Sequence, residues 1–347
     1  MQNNFFRAGL LALTLIIVFI AGYETFWRTK GMPVSFNDDD ALWAHKRNEI
    51  YLPADQATVF IGSSRIKFDL DIPTWEKITG EKAIQLALVG TNPVPLLEDL
   101  ASDDKFRGKL IVDVTEGLFF SLSPQNVASA EKGIKYFQNE TPSQNFSNKV
   151  GYLLESNFVF LEENKYAVNA LLNDMALDNR PGVFAEPPFP KGFEMTNYDR
   201  QTYMTDDFLK DSAEVKRMTD IWMFFASLSK KKPIDGDTLR QYLTRIKTAV
   251  DKLKGRGVKI VFVRTPASGP MEMGMKKRFP TEKYWEQLLK LTGTPGIHYE
   301  DYPEISKFIC PEWSHLKLSD AKIYTAQLCK ILKQEIGWSF THNRLQN

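Results

Sequence analysis

Four apolar runs, at residues 57–62, 83–89, 109–114 and 258–263, constrain the fold of this chain more than any other feature. Each is short, nearly free of polar interruption, and followed by a segment with helical periodicity. That is the pattern of strands buried on both faces of a parallel sheet. A weaker fifth run lies near 297–301. The intervening helical segments are Thr74 to Ile78, closed by Gly80; Pro93 to Leu100, with proline at its start; the long amphipathic Thr238 to Leu253; Lys283 to Leu291; and Ser319 to Ile336. Strand and helix in alternation predict an α/β fold, a doubly wound sheet of five parallel strands flanked by helices. Ligands are then expected at the carboxyl ends of the strands.

Between the third and fourth runs, residues from about 118 to 235 are too many for a plain loop, so the reading is a large, mostly helical insertion. Within it, Pro181 to Pro190 reads as an irregular surface connection. The stretch Asp220-Ile221-Trp222-Met223-Phe224-Phe225, followed by Lys230-Lys231-Lys232, reads either as a segment lying against a membrane or as a buried helix with a basic exit. Residues 1–30 form a separate unit, an anchor with a juxtamembrane arm, and 31–347 form the α/β domain.

From Phe5 to Tyr23 the chain is apolar except for Arg7 and Thr14. As a helix this run would be about 28 Å long, enough to cross a bilayer. Tyr23 and Trp27 stand where an interfacial aromatic belt is expected. A cleaved signal peptide is the competing reading, but bulky Phe19 stands where a cut near Ala21 or Gly22 wants a small residue. Arg7 lies on one side of the run and Arg28 and Lys30 on the other, so charge does not set the orientation. Further on, Asn37-Asp38-Asp39-Asp40 reads as the solvated cap of a short helix rather than a calcium site. With Lys+Arg 44 against Asp+Glu 43 and no basic stripe, nothing points to nucleic acid. No phosphate-binding glycine loop and no Cys/His metal constellation is present, and no cofactor is expected. The two cysteines, Cys310 and Cys329, either pair or stand as buried thiols.

The first apolar run ends in Gly62-Ser63-Ser64-Arg65. A buried strand broken there by a tight turn can expose a hydroxyl beside free backbone N–H groups. Glu312-Trp313-Ser314-His315-Leu316 stands just before the last helix. A serine at the start and an acid-x-x-His near the end can assemble a Ser-His-carboxylate site. The structural alternative for the first segment is a turn whose hydroxyls merely cap a helix. His45, His298 and His342 lack a comparable context and read as structural or exposed.

In these segments the chain resembles the SGNH/GDSL hydrolases, in particular the membrane-anchored, extracytoplasmic members that handle acyl groups on envelope glycans. The resemblance implies a flavodoxin-like sheet and a domain facing away from the cytoplasm. It implies Ser64 as nucleophile, with Ser63 standing where the family usually has Asp, and the Ser64 N–H as one oxyanion donor. In Leu88-Val89-Gly90-Thr91-Asn92 it implies Gly90 as a second donor, and Asn92 is close enough to be a side-chain donor. It implies His315 as base, oriented by Glu312 in place of the usual Asp.

The third block departs from the family pattern. Where Gly-x-Asn-Asp is usual, this chain has Asp113-Val114-Thr115-Glu116-Gly117. A dry, unpaired carboxylate there would repel a developing oxyanion, so Glu116 should be paired by Arg65 or Arg264, and Thr115 is a substitute donor. Arg264 alternatively binds an anionic substrate, and Met271 to Arg278 reads as a basic lid or a solvated loop. The implied function is an acyl esterase or O-acyltransferase acting on acylated carbohydrate or envelope polymer, with acetyl the expected group. The altered third block leaves open an impaired protein of the same fold that binds glycan. The insertion leaves open a membrane acyl-donor partner.

Overall fold

The computed structural model describes residues 2–162, 165–167, 170, 172, 187–228 and 232–341. Two helices, α1 (Gln2–Thr29) and α2 (Asp40–Asn48), precede the sheet. Strand β1 (Ala57–Ile61) leads into α3 (Ser64–Asp69) and α4 (Ile72–Thr79), β2 (Lys82–Gln85) into α5 (Val94–Ser102), and β3 (Lys109–Asp113) into the short α6 (Glu116–Phe119). The next stretch holds α7 (Gln125–Asn139), α8 (Pro142–Glu155), a hairpin of β4 (Met195–Thr196) and β5 (Thr202–Tyr203), α9 (Asp206–Lys210) and α10 (Ser212–Leu228). Then follow α11 (Gly236–Gly255), β6 (Lys259–Arg264), α12 (Gly269–Arg278), α13 (Trp285–Thr292), β7 (Gly296–His298), α14 (Pro303–Ser306) and α15 (Leu318–Gln334).

The fold is α/β, with a five-stranded sheet in the order β2-β1-β3-β6-β7 and every neighbouring pair parallel. Its side chains divide with the period of two that a strand imposes. Val59, Ile61, Leu110, Val112, Ile260 and Phe262 join one core with residues of α5, α11 and α13, such as Leu97, Ile246 and Leu288. Phe60, Ile111, Val261 and Val263 join the other with Trp75 of α4 and Tyr324, Leu328 and Leu332 of α15. β1 and β3 are buried at every residue, which is why they read as unbroken apolar runs. The second run outlasts its strand: beyond Gln85, Leu86 N–H and Leu88 N–H still donate to Phe60 O (2.8 Å) and Gly62 O (3.2 Å). This lays Leu88 to Gly90 alongside the Gly62–Ser64 turn. The chain leaves β1 toward β2 on one side while β3 joins on the other, so a crevice opens at the carboxyl ends of β1 and β3.

Among the described residues one helix, α1, is long and apolar enough to cross a membrane, with mean hydropathy 2.3. Its exit turn is docked on the domain rather than left free as a belt. Trp27 is buried against Tyr166 and Met195, and the Tyr23 hydroxyl donates to Tyr166 O at 2.7 Å. The aspartate cluster also divides. Asp39 caps α2, accepting Leu42 N–H at 2.8 Å, whereas Asp38 is only partly exposed and pairs with buried Arg200 and Lys67. Residues 271–278, expected as a lid or loop, belong to α12, which Pro270 starts in its first turn. The one packed face of α10, with Met218, Ile221, Trp222 and Phe225, lies against Phe68 and Phe193. Lys230, Lys231, His342 and most of Pro181 to Pro190 lie outside the described residues. Cys310 and Cys329 are buried and unpaired, the second of the two alternatives.

Candidate active site

The turn after β1 needs a glycine for space. A Cβ on Gly62 would lie 2.5 Å from Asp113 Cβ and 2.7 Å from Ile66 Cγ2, so no other residue lets β1 end this close to β3. Ser63 then caps α3, accepting Arg65 N–H at 3.4 Å. Its hydroxyl also meets Thr115 Oγ1 at 2.7 Å and donates to Asp113 Oδ2 at 3.1 Å. Burial pushes the Asp113 carboxyl above its ordinary range, against the charge of Arg65 and the donors around it. The capping role thus falls to Ser63. Ser64, the first helical residue, is half-buried and its Oγ lies 2.9 Å from His315 Nε2.

His315 is held from several directions. Glu312 Oε1 accepts both the His315 backbone N–H (2.6 Å) and Nδ1 (3.0 Å), and Oε2 accepts the indole N–H of Trp222. A carboxylate against Nδ1 places the ring proton there and leaves the Nε2 lone pair facing the Ser64 hydroxyl. The extra methylene of glutamate is absorbed because the side chain folds back onto the amide three residues on. Both Glu312 and His315 are almost wholly buried. The loop bends through Trp313, which has φ 78, a left-handed conformation that costs a side-chain-bearing residue about 1–2 kcal/mol. It is retained because Trp313 O accepts Ser268 N–H at 2.9 Å and the indole rests on Gly269, where a Cβ would come within 3.3 Å of it.

Helix α3 also grips the imidazole that faces its first residue. The Phe68 ring stacks on the imidazole at 4.2 Å, and Asp69 Oδ1 accepts Leu316 N–H at 2.9 Å. Burial, outweighing Leu316 and Arg65, holds the Asp69 carboxyl well above the carboxylate range. Phe193 (5.9 Å) and Trp222 (6.0 Å) complete an aromatic wall around His315. None of these four was read from sequence as part of the site. Phe68 stands four residues after Ser64, a spacing that shares one helical face and was readable. Trp222 lies in the insertion, 90 residues from its partner Glu312, with no local signal.

The remaining candidates separate. Of the two cations offered for Glu116, the structure selects Arg264: its Nε donates to Glu116 Oε1, and both side chains are nearly inaccessible. Burial works against the guanidinium, and Glu116 more than offsets it, so the Arg264 pKa is raised. Arg264 also lies over the Tyr299 ring at 5.1 Å. Arg65 instead reaches Ser314 Oγ and Met275 Sδ, both at 3.5 Å, and its charge bears on Asp69 and Asp113.

Asn92 does not serve as a side-chain donor. Its amide is spent on Phe119 O (3.1 Å), Ser121 O (2.9 Å) and Tyr242 Oη (2.7 Å), so it ties β2 to the start of the insertion. Thr115 is likewise engaged, by Ser63 and Asp113. Gly90 is exposed, with φ 62, at the crevice edge. Among the described residues neither the Ser64 nor the Gly90 N–H has a protein acceptor. A cavity of about 930 Å³ adjoins this edge, lined by Phe36, Asp39, Val89, Phe189, Lys191 and Arg217 among others. Ser64 does not line it. The two meet through Val89, next to Gly90, and Phe189, whose ring packs on Trp222 and Phe193. In comparisons with known proteins, no family model matches the chain and no curated protein matches it.

Proposed function

We propose that this protein is a membrane-anchored acyl esterase or O-acyltransferase of the SGNH/GDSL type, acting outside the cytoplasm on ester-linked acyl groups, acetyl first, of envelope carbohydrate. The observation that carries this reading is the continuous relay from Ser64 Oγ to His315 Nε2 (2.9 Å) and from His315 Nδ1 to Glu312 (3.0 Å). In the mechanism, Ser64 Oγ attacks the acyl carbonyl as its proton passes to His315 Nε2, and Glu312 balances the imidazolium. The Ser64 and Gly90 N–H groups are the donors for the tetrahedral oxyanion. Collapse expels the sugar hydroxyl, which takes the proton back from His315. Water or a second sugar hydroxyl then adds to the acyl-serine with His315 again as base, and Ser64 is regenerated. The wide cavity beside the site carries charged side chains such as Asp39, Lys191 and Arg217 among apolar ones, a mixed lining that accommodates a segment of carbohydrate polymer.

A second reading, a glycan-binding protein that no longer turns over its ligand, is favoured by one observation. Asn92 and Thr115 are both engaged elsewhere, so of the oxyanion donors offered by the sequence the backbone N–H groups of Ser64 and Gly90 remain. Labelling with a serine-directed phosphonate separates the two. The enzyme reading expects covalent labelling of the wild type that is lost in Ser64→Ala and strongly slowed in His315→Ala. A folded wild type that takes no label and leaves acetyl esters intact establishes the binding reading instead.

A further inference from the structure

Helix α8 carries a feature that the site does not use. Phe146, Val150, Leu153 and Leu154 are 71%, 45%, 67% and 48% exposed. They recur at i, i+4, i+7 and i+8, which gathers them into one stripe on the outer face of a two-sided helix. The inner face is already partnered: Tyr152 is buried with Phe36 and Leu42 of the domain. Four large apolar side chains in register, facing out, make a patch of the kind that marks an interaction surface.

The position of this helix identifies what covers the stripe. The chain just beyond α8 is bound to the exit turn of α1. Arg28 Nη2 donates to Asn157 O at 2.9 Å, Glu24 accepts Val159 N–H (3.1 Å) and Phe160 N–H (3.3 Å), and the Trp27 ring lies 4.8 Å from that of Tyr166. The apolar run of α1 ends at Tyr23, so Leu154, three residues before Asn157, lies within a turn or two of the level where α1 leaves its apolar stretch. The carboxyl end of α8, with the exposed Leu153 and Leu154, is therefore held close to the exit turn of α1. Exposed Lys149 flanks the stripe, and Arg28 and Lys30 stand at the end of α1, the arrangement of a helix seated among headgroups.

We propose that the outer face of α8 lies in the membrane interface, with Phe146, Val150, Leu153 and Leu154 inserted at the headgroup–acyl boundary. The domain would then meet the bilayer twice, through α1 and on α8. The proposal rests on α1 as the membrane anchor and is independent of the chemistry at Ser64.

The test uses the full chain in vesicles of phosphatidylethanolamine with a minority of phosphatidylglycerol. Nitroxide labels are placed singly through Phe146→Cys, Val150→Cys and Leu153→Cys, with Lys252→Cys on α11 as the aqueous reference; the native cysteines are buried. The expected result is a several-fold rise in the ratio of oxygen to nickel-chelate collisions at the three α8 positions relative to position 252. Equal ratios at all four positions would overturn the proposal. Labels on α8 shielded from both reagents would also overturn it, because they would show a protein covering the stripe.

Discussion

Arg264→Met is the most exacting test of how the crevice tolerates a buried acid just after β3. Glu116 is 5% and Arg264 2% exposed, so truncating the arginine strands a carboxylate that water cannot reach. Breaking a buried pair from one side costs about 3–5 kcal/mol, against about 0–1 kcal/mol for an exposed pair. The lost stacking over Tyr299 falls within the upper end of that range. Glu116→Gln keeps an acceptor for the Arg264 Nε but leaves the guanidinium uncompensated. The double variant removes both charges and should fall short of the summed single losses by roughly 2–3 kcal/mol. Urea unfolding of the full chain in detergent reads these values from the midpoint and slope.

Labelling of Ser64 supplies a second measure: it should slow in Arg264→Met and recover in the double variant, because the stranded charge opposes the oxyanion. The reasoning fails if Arg264→Met costs less than about 1 kcal/mol or if the two changes simply add. It also fails if Glu116→Gln couples to Arg65→Met instead.

Three further outcomes are expected. Trp222→Phe keeps an aromatic wall but removes the donor to Glu312 Oε2, a charge-assisted bond of about 1.5–3 kcal/mol, so Ser64 labelling should slow by roughly 10- to 100-fold, and an unchanged rate and pH profile would dismiss the contact. Asp69→Ala should loosen the His315 loop by about 1–3 kcal/mol, whereas Asp69→Asn keeps the acceptor for Leu316 N–H. Because burial raises the Asp69 pKa in the folded state, its contribution is present below the unfolded carboxylate pKa and lost as pH rises through the folded value; Asp69→Asn should therefore gain on the wild type with rising pH in urea titrations, and a constant difference would count against it. For Asp38, burial raises the pKa but Arg200 and Lys67 outweigh it and bring it to about 2. Its stabilisation is present above the unfolded carboxylate pKa and disappears as pH falls through about 2, so Asp38→Asn should flatten the acid limb of the melting temperature against pH.

The sheet was legible because its strands are covered on both faces. The runs at 57–62 and 109–114 coincide with β1 and β3 almost to the residue, and the weak fifth run shrinks to the edge strand Gly296–His298. Helix ends with a chemical signal were also legible, as at Gly80, where φ 69 closes α4. The basic stretch after Ser268 was misread because a helix whose residues are all partly or wholly exposed has no apolar period to show. The Asp38–Asp40 cluster was read correctly as the cap of α2 at Asp39 but not at Asp38, whose partner Arg200 lies 162 residues away.

The chain's own order of residues determined the α/β alternation, the glycine that brings β1 against β3, and a pair of short segments able to supply a hydroxyl, an imidazole and an acid. These are local properties, set by burial period and backbone space. The tertiary structure gave Ser63 the cap and set Ser64, which the resemblance had indicated, against His315, since the two neighbours differ merely in where the first helical turn points them. It alone chose Arg264 over Arg65 for Glu116, withdrew Asn92 into the insertion's framework and brought Trp222 to Glu312. Those outcomes depend on distances between residues far apart in the chain, and such distances exist only once the sheet and its covering helices have packed.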